Sequence, residues 1–120
     1  MDKKLVGRFG EQAAAEYLKK KRYKIVGMNY SCRFGEIDLI AENRKYVVFV
    51  EVKLRKSDKF AEAKEFVTQS KQEKIIKTAS LWLSQNETEL QPRFDVIEIY
   101  APEGIESKSI KINHIENAFQ

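Results

Sequence analysis

The chain has 120 residues, 42% of them hydrophobic and 33% charged, with one cysteine, one histidine and a formal net charge of +4. That size predicts one compact domain over residues 1–120, and no apolar run approaches the roughly 18 residues that cross a bilayer. A lone Cys32 excludes an intramolecular disulfide and a thiolate metal cluster, and a start without an apolar stretch predicts residence in the cytoplasm. The charge is unevenly placed: up to Gln85 there are 19 Lys+Arg against 11 Asp+Glu, and from Asn86 onward 3 against 7. A polyanion is the natural partner of the basic portion, the alternative being ordinary solvated faces.

In chain order, Val6, Phe9, Ala13, Ala14, Tyr17 and Leu18 recur at helical spacing and predict a first helix over 5–21. The basic run Lys19 to Arg22 follows where the macrodipole favours cations. Tyr23 to Val26 reads as a short strand and Gly27 to Gly35 as irregular chain around a turn. Glu36 to Ala41 and Tyr46 to Leu54 read as two strands of a hairpin with the polar tip Glu42 to Lys45. Arg55 to Phe66 is polar and lysine-rich, which predicts a loop with a helical turn around 61–65. Thr68 is placed to cap a second helix whose buried face contains Ile75, Ile76, Ala79, Leu81, Trp82 and Leu83, ending near Gln85-Asn86. Pro92 to Tyr100 is a further strand, Pro102-Glu-Gly a turn and Ser109 to Asn113 a final edge strand. Helix, three strands, helix, strands is the order of an α/β mixed sheet flanked by helices.

Acidic and cationic side chains inside core-forming strands cost desolvation, so each needs a compensating partner such as a metal ion or a salt bridge. Asp38 lies in the first hairpin strand, Glu51 and Lys53 in the second. Alternation puts Glu51 and Lys53 on one side of the sheet with Val47 and Phe49. With Asp38 turned to that side, its carboxylate, that of Glu51 and the Val52 carbonyl form a hard oxygen set suited to Mg²⁺ or Mn²⁺, with Lys53 placed to orient a bound water. That chemistry is phosphodiester hydrolysis; the bland alternative is a salt-bridge cluster without metal. Glu11 falls beside Leu18 at the margin of the helix's apolar face, where it reaches either the sheet end or solvent.

Gly7-Arg-Phe-Gly-Glu11, Asn29, Gly35-Glu-Ile-Asp-Leu-Ile-Ala41, Val48-Phe-Val-Glu-Val-Lys-Leu-Arg55, Val67-Thr with Lys71-Gln72, Ala79 and Arg93-Phe-Asp-Val96 together resemble the YraN-type family over nearly the whole chain. That family is similar to the restriction-endonuclease-like PD-(D/E)XK superfamily and, in arrangement, to archaeal Holliday-junction resolvases. The resemblance implies a central mixed sheet with helices on both sides, Asp38, Glu51 and Lys53 as the metal and catalytic set, and Glu11 as a further helix-borne ligand. It implies Lys71 or Gln72 as a phosphate contact, and Arg8, Arg33, Arg55 and Lys74 join them as nucleic-acid-binding candidates. Two positions depart from the pattern: Ile37 stands where the superfamily's nominal proline precedes Asp38, and Lys59-Phe-Ala61 stands where relatives often carry a glycine.

The function expected is therefore a metal-dependent DNA endonuclease, structure-selective in repair or recombination. The alternative is a non-catalytic nucleic-acid-binding accessory module. A third possibility is a protein-interaction domain whose basic face takes an acidic partner, including the acidic C-terminal third of a second copy in a homodimer. Glu36 is expected to pair with Arg33, Asp95 to anchor a strand start to a basic group, and His114 and Cys32 to be structural.

Overall fold

A computed structural model of the chain describes residues 3–56 and 67–120. The loop predicted from residue 57, its helical turn at 61–65 and Lys59-Phe-Ala61 lie outside the described residues. Helix α1 spans Lys3–Lys20 and is followed by strands β1 (Lys24–Cys32), β2 (Gly35–Glu42) and β3 (Tyr46–Arg55). Helix α2 (Gln69–Gln85), β4 (Gln91–Tyr100), a single 3-10 turn (Gly104–Glu106) and β5 (Lys111–Phe119) complete the order. The five strands form one sheet in sequence order, β3 and β4 parallel and every other pair antiparallel. Helix α2 is the crossover that the parallel pair requires.

Each helix covers one face. Ala14, Ala15 and Leu18 of α1 pack on Leu39, Ala41, Val48, Val50, Ile97 and Ile99. Ile75, Ala79 and Trp82 of α2 pack on Ile37, Ile40, Val47, Phe49 and Val96. Trp82 meets Phe49 edge-on at 5.8 Å between ring centroids. Strand β3, central in the sheet and covered on both faces, is a continuous apolar run through Val50, as such strands must be. Helix α1 ends with Lys19 and Lys20 in its last turn; Arg22, at φ 70°, then turns the chain out, and the Tyr23 N–H donates back to the Leu18 carbonyl at 2.9 Å. Thr68 caps α2, its hydroxyl oxygen accepting from the Lys71 N–H at 3.1 Å.

Three sequence expectations change. The irregular stretch after Val26 is a strand: β1 runs to Cys32 and pairs with β2 through a turn at Arg33-Phe34. A register shift between Ile25 and Gly27 and a φ of 52° at Asn29 disturb the alternation, which hides the strand from a period-2 reading. The last strand is Lys111–Phe119, later and longer than the Ser109 to Asn113 segment, because its pattern is interrupted by Asn113, His114, Glu116 and Asn117. Leu81 lies outside the buried face of α2, whose buried residues include Thr78 instead; the Thr78 hydroxyl donates to the Lys74 carbonyl at 2.7 Å, which makes its burial tolerable.

Candidate functional site

The β2–β3 ladder runs from Glu42↔Val47 to Leu39↔Val50 and stops there. Ile37 and Ile40, three positions apart, both pack in the α2-side cluster, so the side-chain alternation of β2 breaks at Asp38-Leu39. Beyond that break the Val52 N–H has no β2 carbonyl to meet. It donates instead to Asp38 Oδ2 at 2.8 Å. Asp38 thus replaces a lost ladder bond and stands at the fork where two strands part. The Val52 amide N–H is thereby tied to Asp38.

Glu51 follows Val47 and Phe49 on the α2 face of β3 and is buried. Its Oε1 receives two ammonium groups, Lys71 Nζ at 2.5 Å and Lys53 Nζ at 3.5 Å. A groove of about 390 Å³ beside them is lined by Gly35, Glu36, Asp38, Glu51, Lys71 and Lys74, among others. Burial, then the nearby charge of Glu51, push the Asp38 carboxyl up to about 7 against the Val52 hydrogen bond, with Glu11 and Glu36 adding to the same effect. Burial lowers Lys53, the Lys71 charge reinforcing this against Glu51. At Lys71 burial acts in the same downward sense, but the hydrogen bond and attraction of Glu51 outweigh it and the ammonium is held above its usual value.

Helix α1 reaches this end of the sheet through Gly10: a Cβ built there would lie 3.6 Å from Val52 Cγ1 and 3.7 Å from Leu54 Cβ. That approach carries the half-buried Glu11 close enough for its charge to act on Asp38. Among the described residues no three Asp, Glu, His or Cys side chains converge on one point as a preformed metal cage. Asp38 and Glu51 are hard oxygen donors that repel one another in a partly desolvated place, which is the donor type a hard cation takes.

The other candidates separate. Lys74 joins the groove. Gln72 donates its side-chain amide to the Val67 carbonyl at 2.9 Å, a bond that serves the entry to α2. Arg8 is exposed on α1, Arg55 is half-buried at the end of β3, and Arg33 lies over the Phe34 ring at 4.8 Å. Glu36 lines the groove and adds its charge to Asp38's. Cys32 accepts the Phe34 N–H at 3.4 Å and donates to the Thr78 hydroxyl at 3.7 Å, tying the hairpin turn to α2.

One acid, Glu98, escaped the sequence reading, whereas Asp95 is tied to a basic group as expected. Glu98, 0% exposed, lies beside Lys53 in parallel register and accepts from the Asn113 amide at 2.9 Å. Burial, with Glu98 beside it, pushes the Tyr100 hydroxyl up to about 12. An acid inside Val96-Ile-Glu-Ile-Tyr100 was the signal, the same one that marks Glu51. On the α1 face, Asp95 accepts from Arg93 Nε at 2.9 Å and Nη2 at 2.8 Å, and from the Asn117 N–H at 3.0 Å. His114 Nε2 lies 2.6 Å from Asp95 Oδ2, and Nδ1 lies 3.1 Å from the Tyr17 hydroxyl. Burial alone would raise the Asp95 carboxyl, but His114 and Arg93 hold it below the usual carboxylate range. Ionised Asp95 can only accept, so Nε2 carries the proton of that bond.

These features define an α/β protein with a five-stranded mixed sheet, whose candidate site sets a half-buried Asp38 beside a buried Glu51 that two lysines contact, near a helix N-terminus. Residues 10–99 match the family described as Uncharacterised protein family UPF0102, and the chain belongs to that family. A UPF0102 protein of Caldanaerobacter subterraneus subsp. tengcongensis is 50% identical over 99% of this chain and 98% of its own length. One of Clostridioides difficile is 44% identical over 99% of this chain and 100% of its own, and one of Vibrio parahaemolyticus 43% over 97% and 93%. The resemblance to the YraN-type family holds at this level. No helix among the described residues is long and apolar enough to cross a membrane.

Proposed function

We propose that the chain is a metal-dependent DNA endonuclease of the restriction-endonuclease-like PD-(D/E)XK class, hydrolysing phosphodiesters with Mg²⁺ or Mn²⁺. One observation carries this reading: Asp38 and Glu51, two partly or wholly buried carboxylates, face one groove with Lys53 in contact with Glu51. The charge of Glu51 disfavours that of Asp38, and a cation between them relieves the repulsion. Asp38 and Glu51 would hold the ion, with Glu11 approaching from α1. When bound, it would supply a water of lowered pKa and neutralise charge on the scissile phosphate. Lys53, its own proton loosened by burial, would orient or relieve that water, and Lys74 at the groove's rim would meet the phosphate backbone. Structure-selective cleavage in repair or recombination is the substrate class that the sequence resemblance to archaeal Holliday-junction resolvases suggests.

The second reading is a non-catalytic nucleic-acid-binding module. It is favoured by the neutralisation of Glu51 by the chain's own lysines. Cleavage of labelled single-stranded, duplex, flapped and four-way-junction DNAs with Mg²⁺, Mn²⁺ or EDTA separates the two. The nuclease reading expects metal-dependent products that disappear in Asp38→Ala and Lys53→Ala. Retained cleavage in Asp38→Ala rules out the assignment, and binding without cleavage on every substrate favours the accessory module.

A further inference from the structure

Lys71 and Lys53 converge on the same oxygen, Glu51 Oε1. The two lysines are not equivalent. Lys53 is anchored on the central strand, its side chain 24% exposed, whereas the Lys71 side chain is 41% exposed against 8% for Glu51. Lys71 therefore lies across a buried carboxylate with a path to solvent, on a four-carbon stem that swings away without backbone movement.

Its position in α2 also works against it. Lys71 is the third residue of the helix, where the Thr68 hydroxyl accepts its N–H, and no acidic residue stands in that first turn. A cation there opposes the macrodipole. Glu51, across the groove, is what draws the ammonium inward, and a divalent cation between Asp38 and Glu51 competes for the same oxygen.

We infer that Lys71 is an internal counter-cation: it holds Glu51 whenever no divalent cation does, and leaves Glu51 for the groove as a divalent cation enters between Asp38 and Glu51. Cation uptake and release of Lys71 are then one event, which places a freed ammonium at the groove only when the site is loaded. The inference rests on the reading of Asp38 and Glu51 as ligands.

Calorimetric titration of the full chain with Mn²⁺ at pH 8 tests it, using wild type, Asp38→Asn, Lys71→Met and Lys71→Gln. Wild type should bind, Asp38→Asn should lose binding, and both Lys71 variants should bind on the order of tenfold more tightly, since the competing charge is gone. In wild type labelled at lysine, the Lys71 ε-methylene resonance should shift with site occupancy. Unchanged or weaker binding in both Lys71 variants, with wild-type binding still lost in Asp38→Asn, overturns the inference and leaves the metal site standing. No binding by wild type or by either Lys71 variant overturns the metal site and the inference together.

Discussion

Asp38 performs two tasks that pull against each other: it accepts the Val52 N–H, and it holds a carboxyl near neutral titration beside Glu51. Its folded pKa of about 7 lies above that of an unfolded aspartate, about 3.9, so the folded chain binds this proton more tightly. The Asp38 contribution to stability is fully present below about 3.9, declines as pH rises from there, and is lost once pH has passed through about 7. Asp38→Asn keeps an acceptor for Val52 and cannot ionise. It should therefore be more stable than wild type at pH 8 by about 1–2 kcal/mol, a figure discounted for partial exposure, and should lose that advantage near pH 4. Urea denaturation at both pH values measures this, and an advantage independent of pH would contradict the assignment.

At the scale of elements, the Arg93–Asp95–His114–Tyr17 network binds β4, β5 and α1 together where apolar packing alone would not set their register. Arg93 is 7% exposed and also donates to the Tyr23 hydroxyl at 2.7 Å. Removing Asp95 leaves a guanidinium with neither water nor its main partner. Asp95→Ala should destabilise by about 3–5 kcal/mol, while Arg93→Met with Asp95→Leu should recover the part due to the unpaired guanidinium and leave the part due to the unmet His114 and Asn117 donors. Guanidinium melts of the two variants decide it: a loss under about 1 kcal/mol in Asp95→Ala means the pair is solvated after all.

For the whole molecule, charge follows sheet order. The chain up to Gln85, with its excess of 8 positive charges, builds α1, β1 to β3 and α2; the remainder, with an excess of 4 negative charges, builds β4 and β5. The candidate groove belongs to the basic part, walled by β2, β3 and the start of α2. Duplex or junction DNA should therefore bind with log affinity falling linearly in log salt, by about 0.9 per phosphate neutralised. Lys74→Ala should weaken binding and reduce that slope by about one. Fluorescence anisotropy across a salt series reads both, and affinity indifferent to salt counts against any nucleic-acid role.

Helices α1 and α2 were legible in the sequence because their apolar residues repeat at a period of 3.6, and β3 because an unbroken apolar run of strand length between polar segments marks a strand buried on both faces. Asp38, Glu51 and Lys53 were legible for the same reason, as charges breaking a pattern that otherwise buries them. Tertiary structure decided what repeats cannot carry. The break of alternation at Asp38 opened the strand fork, the parallel crossover set α2's first turn against β3, and Lys71 thereby became the partner of Glu51 across 20 positions of sequence. The length of β1 and the partners of Asp95 and Glu98 were decided in the same way, since a hydrogen bond or ion pair depends on distance in space and leaves no period along the chain.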